Sequence, residues 1–238
     1  TTARDLARSF GSYDEFRAIF QQAIRAGGSD LVSRAEWLQR LPAGGHAAAV
    51  GAAMATAILG NIEAAYRANS MEAINRVAEL LRKAARVTIV GVGGMHAIAA
   101  YFHYVARMAL ADVRLAQPAM ASMIDELAAV GDTDVVVILS VEPYATETVR
   151  TAEFVARRGA RLVAVTDSRT APVAPLANEL LLVATATPQF FPSQAATIAL
   201  LETLMAVIVS RGDRSILDRI DRVDRHRREE GIYWRPKR

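Results

Sequence analysis

Ser140, Glu142, Tyr144, Thr146 and Glu147 fall within eight residues, directly after the apolar run Val135–Leu139. A carboxylate and a phenol so close together at the end of a strand suit hydrogen bonding to a small molecule. A second group, Gly91, Gly93, Gly94, Met95 and His96, follows another short apolar run, VTIV. Glu142 or His96 could also shuttle a proton between adjacent carbons, since that chemistry needs one positioned base. Plainer roles compete with these. Thr146 and Glu147 suit the first turn of a helix, and Pro143 suits its entry because it brings no N–H where none is needed. The glycines could serve only a tight turn with close strand–helix packing, and His96 could be an ordinary polar residue at a helix end.

The spacings exclude several chemistries. A dinucleotide fingerprint GxGxxG would need glycine at His96, and no carboxylate follows the second strand to hold a ribose. No GK[ST] phosphate loop occurs, the four histidines lack HExxH spacing, and there is no cysteine. We therefore expect no catalytic residue, no metal site and no cofactor. The lack of cysteine fits a reducing cytoplasm.

Such loops need a rigid scaffold, and the hydrophobic pattern supplies one. From Thr2 to about Leu81 the periodicity is helical. Leu6 and Phe10 lie one turn apart, and Phe16, Ile19, Phe20, Ala23 and Ile24 form the next apolar stripe. Further helices are expected over Ser29–Gln39, His46–Ala68 and Met71–Ala84, the last burying Ile74, Val77, Ala78 and Leu81. At Arg86 the period changes. The runs VTIVGVGG, DVRLA, DVVVILS, RLVAVTDS and ELLLVAT read as strands, most of them separated by helical stretches that include MHAIAAYFHYVARMAL, AMASMIDELAAV and ETVRTAEFVARR. Strands apolar on both faces, alternating with helices, predict an α/β fold: a five-stranded parallel sheet, doubly wound, after an all-α N-terminal segment. Ligands bind such sheets beyond the carboxyl ends of the strands, where both residue groups stand.

The 238 residues can bury about three quarters of their unfolded surface, so a sizeable core is expected. Net charge is only +3. The stretch from Arg211 to Arg238 holds ten basic and six acidic residues, and it reads as a solvated helix face or as a surface near phosphates. Within it Ile216, Ile220 and Val223 recur at helical spacing, as in an amphipathic helix docked on its own domain or on a second subunit. The longest weakly apolar run, Ala47–Gly60, has fourteen residues, short of the roughly 18 needed to span a bilayer. No membrane partner is expected. The chain opens on TTARDLARSF without a methionine, and we expect that an N-terminal portion is missing.

The glycine loop GVGG, the strand VVVILS, the run ETVRTAEFVARRGARLVAVTDS and the later TAPVAPLANELLLVAT resemble the SIS (sugar isomerase) domain. TTARDLARSFGSYDEFRAIF resembles the last two helices of the helix-turn-helix domain of RpiR-type transcriptional regulators, and NIEAAYRAN their linker helix. The resemblance implies four parts: residues 1–28 from the DNA-binding domain, 29–70 a helical linker, 71–211 a SIS-like ligand-binding domain, and 212–238 a C-terminal helix and basic tail. It implies a cytoplasmic, sugar-responsive regulator that binds its effector without catalysis, contacts DNA through the intact N-terminal domain, and forms a homodimer or homotetramer. An aldose–ketose isomerase is the alternative.

The strand-end residues and the resemblance together place ligand binding at Gly93, Gly94, Met95, His96, Ser140, Glu142, Tyr144 and Thr146, and the resemblance places DNA contact at Arg4 and Arg8. With the first helices of that domain absent, this chain is expected to bind operator DNA poorly. It also departs from the family pattern. Met95 stands where a serine normally meets the phosphate. In the second loop, usually Ser-x-Ser-Gly-x-Thr, Ser140 is kept, but Glu142, Pro143 and Ala145 replace the second serine, the glycine and the threonine, with Thr146 displaced by one. A ligand other than a simple sugar phosphate is expected, such as a polyol, a neutral sugar or an amine-bearing metabolite.

Overall fold

The computed structural model describes residues 31–39, 46–117 and 122–234. The expected helices around Leu6 and Phe16, and with them Arg4 and Arg8, lie outside these residues.

Two helices come first, α1 (Leu31–Gln39) and α2 (His46–Ala68), followed by α3 (Met71–Lys83). The alternating part is then β1 (Val87–Gly91), α4 (Gly94–Ala109), β2 (Val113–Leu115), α5 (Met123–Glu126), β3 (Val135–Ser140), α6 (Thr146–Arg157), β4 (Arg161–Thr166) and β5 (Glu179–Leu182). Helices α7 (Ala195–Ser210) and α8 (Arg214–Glu229) close the chain. The described residues group into two units. One comprises the residues as far as Arg67 together with Val183–Thr197; the other comprises Ala68–Leu182 and the residues from Ile198 onward.

In the first unit the alanine-rich α2 buries Ala52, Ala53, Ala57 and Ala65. Small side chains allow close approach, and Asn61 takes advantage of it by donating from its amide to the Ala186 carbonyl at 2.6 Å. No single helix among the described residues is long and apolar enough to cross a membrane.

The second unit holds the sheet. All five strands are parallel, in the order β2-β1-β3-β4-β5. Every residue of β1 and β3 is buried, as is all of β4 beyond Arg161, because helices cover both faces. Helix α4 packs on β1 and β2, α6 on β3 and β4, and α3 on β5. Along α3, Ile74, Val77, Ala78 and Leu81 face inward as expected, and Ser70 caps its first turn.

Two asparagines finish the sheet at β5. Asn69 donates to the Leu182 carbonyl at 2.7 Å and accepts from the Leu182 N–H at 2.8 Å, standing in for a strand partner. Asn178 accepts from the Leu162 N–H through its side chain at 2.7 Å and donates from its backbone to the Leu162 carbonyl at 2.8 Å. Asn69 thus pairs edge groups that a sixth strand would have satisfied, and Asn178 extends the β4–β5 pairing by one step.

Two expectations need correction. The helix read over AMASMIDELAAV is, within the described residues, the single turn Met123–Glu126. The backbone then tightens to three-residue turns, Ala128 N–H to Asp125 and Val130 N–H to Leu127, and the Asp134 carboxylate takes the Gly131 N–H at 3.0 Å. Helix α6 begins at Thr146 after Ala145, so Pro143 precedes the helix instead of entering it. The C-terminal amphipathic helix docks on its own domain. Helix α8 packs against α4, buries Ile216 and sends Arg219 to the Ala109 carbonyl at 3.4 Å.

Candidate ligand-binding site

Strand order reverses between β1 and β3, and the crevice beyond the carboxyl ends of the strands at such a reversal is where doubly wound sheets bind ligands. Gly91 pairs with Leu139 there, so the turn Val92–His96 and the turn Val141–Ala145 leave neighbouring strands side by side. Both groups of residues singled out from the sequence therefore reach one end of the sheet.

The glycine turn is shaped by backbone clearance. A Cβ on Gly91 would come within 2.5 Å of the Met95 carbonyl oxygen, so only glycine lets α4 start this close to β1. Gly93 caps α4 with φ at +59°, a left-handed conformation open to glycine, and Gly94 begins the helix. This geometry turns Met95 inward. It is 7% exposed and shares the buried face of α4 with Ala99 and Phe102. The half-buried His96 places Nδ1 3.3 Å from the Gly91 carbonyl oxygen. A carbonyl only accepts, so Nδ1 carries a proton in this contact.

The second turn is organised by a residue absent from the expected set, Asp167. It follows β4, whose Thr166 pairs with Ser140 at the end of β3. Its Oδ1 accepts from the Tyr144 hydroxyl at 2.8 Å and from the Thr166 hydroxyl at 3.3 Å, and its Oδ2 accepts from the Glu142 N–H at 3.2 Å. Burial, reinforced by this hydrogen bond and by the charges of Asp167 and Glu142, pushes the Tyr144 phenol well above its ordinary value. Tyr144 is thus a fixed, neutral group with oxygen lone pairs to spare.

Glu142 and Thr146 are exposed, and among the described residues neither side chain makes a hydrogen bond or ion pair. Glu147 turns sideways and accepts from the Met123 N–H at 3.3 Å. Ala145 offers α6 no side-chain cap, which leaves first-turn N–H groups for other partners. Ser140 is 3% exposed and its hydroxyl has no hydrogen-bond partner among the described residues. Yet the only fully enclosed side-chain polar atom without a partner among them is Arg82 Nε. The Ser140 hydroxyl is thus nearly but not fully enclosed at the end of β3.

The signal for Asp167 was present in the sequence: a carboxylate right after the apolar run RLVAVT, at a strand's carboxyl end. What it holds depends on β3 and β4 being neighbours in register.

This sheet with its switch-point turns defines a class, and comparison with known proteins gives it a family. A model of the SIS domain matches residues 80–210, more than half of the chain. The chain belongs to the SIS domain family. No curated protein matches the sequence. Among solved structures, the sugar isomerase domain of an RpiR transcription factor from Sphaerobacter thermophilus is 26% identical, with a TM-score of 0.68 over 72% of this chain and 96% of that one. The NanR protein of Vibrio vulnificus, solved with ManNAc-6P, is 16% identical with a TM-score of 0.65, over 95% of this chain and 85% of its own. Phosphoheptose isomerase from Neisseria gonorrhoeae, at 16% identity and a TM-score of 0.53, covers 64% of this chain and 93% of its own. At such identity the last two share the fold with this chain.

Proposed function

We propose that this chain is the ligand-sensing part of a cytoplasmic, RpiR-type transcriptional regulator. It binds a sugar or sugar-like effector at Gly93–His96 and Ser140–Thr146, and it does not transform it. The observation that carries the reading is Ser140: a nearly buried hydroxyl with no hydrogen-bond partner among the described residues, at the end of β3 beside the β1/β3 switch point. The sensor role is supported by the likeness to an RpiR transcription factor's sugar isomerase domain. In this reading residues 1–28 belong to the DNA-binding domain, Arg4 and Arg8 contact DNA, and the protein acts as a homodimer or homotetramer. Effector binding would shift the DNA-bound population only if the effector prefers one subunit arrangement over the other.

The site disfavours a phosphate. Met95 points into the core, and Glu142 stands free where a family serine would donate. A carboxylate about 4 Å from a phosphate charge is repelled by roughly 4 kcal/mol at a protein-surface dielectric, per unit charge. Calorimetry with matched sugars and sugar phosphates tests this. The unphosphorylated form should bind more tightly, and Ser140→Ala should weaken it by about tenfold, the worth of one hydrogen bond to a ligand. Tighter binding of the phosphate form, or binding indifferent to Ser140, would overturn the reading. The isomerase alternative rests on Glu142 or His96 as the base, and deuterium uptake from solvent into a bound aldose would reveal it.

A further inference from the structure

The groups on the turns that leave β3 and β4 share one chemical character. Glu142 is an exposed carboxylate with no partner among the described residues. The Tyr144 hydroxyl spends its proton on Asp167, leaving lone pairs. Asp167 takes three donors, one fewer than the roughly four its two oxygens can accept. Neither Glu142 nor Asp167 makes an ion pair among the described residues. The stretches Gly91–His96, Ser140–Thr148 and Thr166–Ser168 contain no lysine or arginine.

Acceptors on adjoining turns, with two carboxylates that make no ion pair among the described residues, call for a ligand rich in donors and positively charged. The uncapped N–H groups at the start of α6 add the opposite polarity at one side, suited to hydroxyl oxygens of the same molecule. The geometry points to an effector that carries a protonated amine on a polyol frame, an unacetylated and unphosphorylated amino sugar or amino polyol, with Glu142 and Asp167 selecting the ammonium. This rests on the sensor reading above and narrows its ligand. Asp167 acts in two ways: it holds Tyr144 and the backbone of Glu142 in place, and it supplies charge.

Calorimetry on the full chain tests the selection with a panel led by glucosamine and amino polyols, each beside its hydroxyl, N-acetyl and phosphate counterpart. The amine form should bind at least about tenfold more tightly than its hydroxyl and N-acetyl counterparts. The preference should shrink several-fold in Glu142→Gln, an exposed position that leaves the fold unchanged, and also in Asp167→Asn, with circular dichroism as the folding control. Equal or tighter binding of a hydroxyl, N-acetyl or phosphate form overturns the amine assignment, as does a preference undiminished in Glu142→Gln or an amine panel that fails to bind at millimolar concentration. If a neutral or phosphorylated counterpart then binds with dependence on Ser140, the sensor reading stands without the amine. If nothing in the panel binds in a Ser140-dependent way, both fall.

Discussion

Asp167 is the structural centre of the second turn, and its removal should be read in stability before any ligand is added. Tyr144→Phe deletes one hydrogen bond of 2.8 Å to a carboxylate, on a half-buried ring. Hydrogen bonds to charged groups contribute about 1.5–3 kcal/mol, and partial exposure places this one near the lower end. Asp167→Ala deletes the same bond and two others. The Glu142 N–H is exposed and water replaces its acceptor, whereas the Thr166 hydroxyl is buried and loses its only partner among the described residues, which adds about 1–3 kcal/mol. We expect about 1.5 kcal/mol for Tyr144→Phe, about 3 for Asp167→Ala, and a coupling near 1.5 in the double-mutant cycle. Urea unfolding followed by circular dichroism reads these; with a slope of about 3 kcal/mol per molar, the single Tyr144 change lowers the midpoint by about half a molar unit. Additive losses, or a Tyr144→Phe midpoint equal to wild type, would refute the claim that this contact organises the turn.

Two further outcomes follow from the same structure. The folded chain holds the Tyr144 proton more tightly than the unfolded chain does, so the stabilisation is complete below the ordinary phenol value of 10.0 and is lost as pH rises above it. Wild type should lose more stability than Tyr144→Phe between about pH 9 and about pH 11 in urea titrations, and parallel losses would contradict this. Asn69→Ala leaves the Leu182 N–H and carbonyl without their 2.8 and 2.7 Å partners at the sheet edge; it should cost about 2–4 kcal/mol, and Asn69→Asp, which restores only the acceptor, should remain destabilised.

The scaffold was readable because its signals are local. The unbroken apolar runs of β1, β3 and β4 announced strands covered on both faces, and the period-3.6 stripe of α3 matched its buried residues. The position of the two turns at one end of the sheet followed from the order of elements. What stayed hidden depends on geometry across elements. Asp167 lies 23 residues from Tyr144 and meets it only through the β3–β4 register. Met95 goes into the core because Gly93 takes a left-handed conformation and sets the first turn of α4, a choice no spacing rule contains. The short α5 was over-read because Leu127 and Val130 are buried as turn residues while keeping a helix-like spacing.

The central claim is that the β1 and β3 turns together form a recess that recognises a metabolite. A crystal structure of the full chain with the tightest binder from calorimetry tests it most directly. The account predicts density for that molecule between Gly93–His96 and Ser140–Thr146, with a hydrogen bond to the Ser140 hydroxyl. The same space filled by the protein's own side chains, or the molecule bound elsewhere, would contradict it.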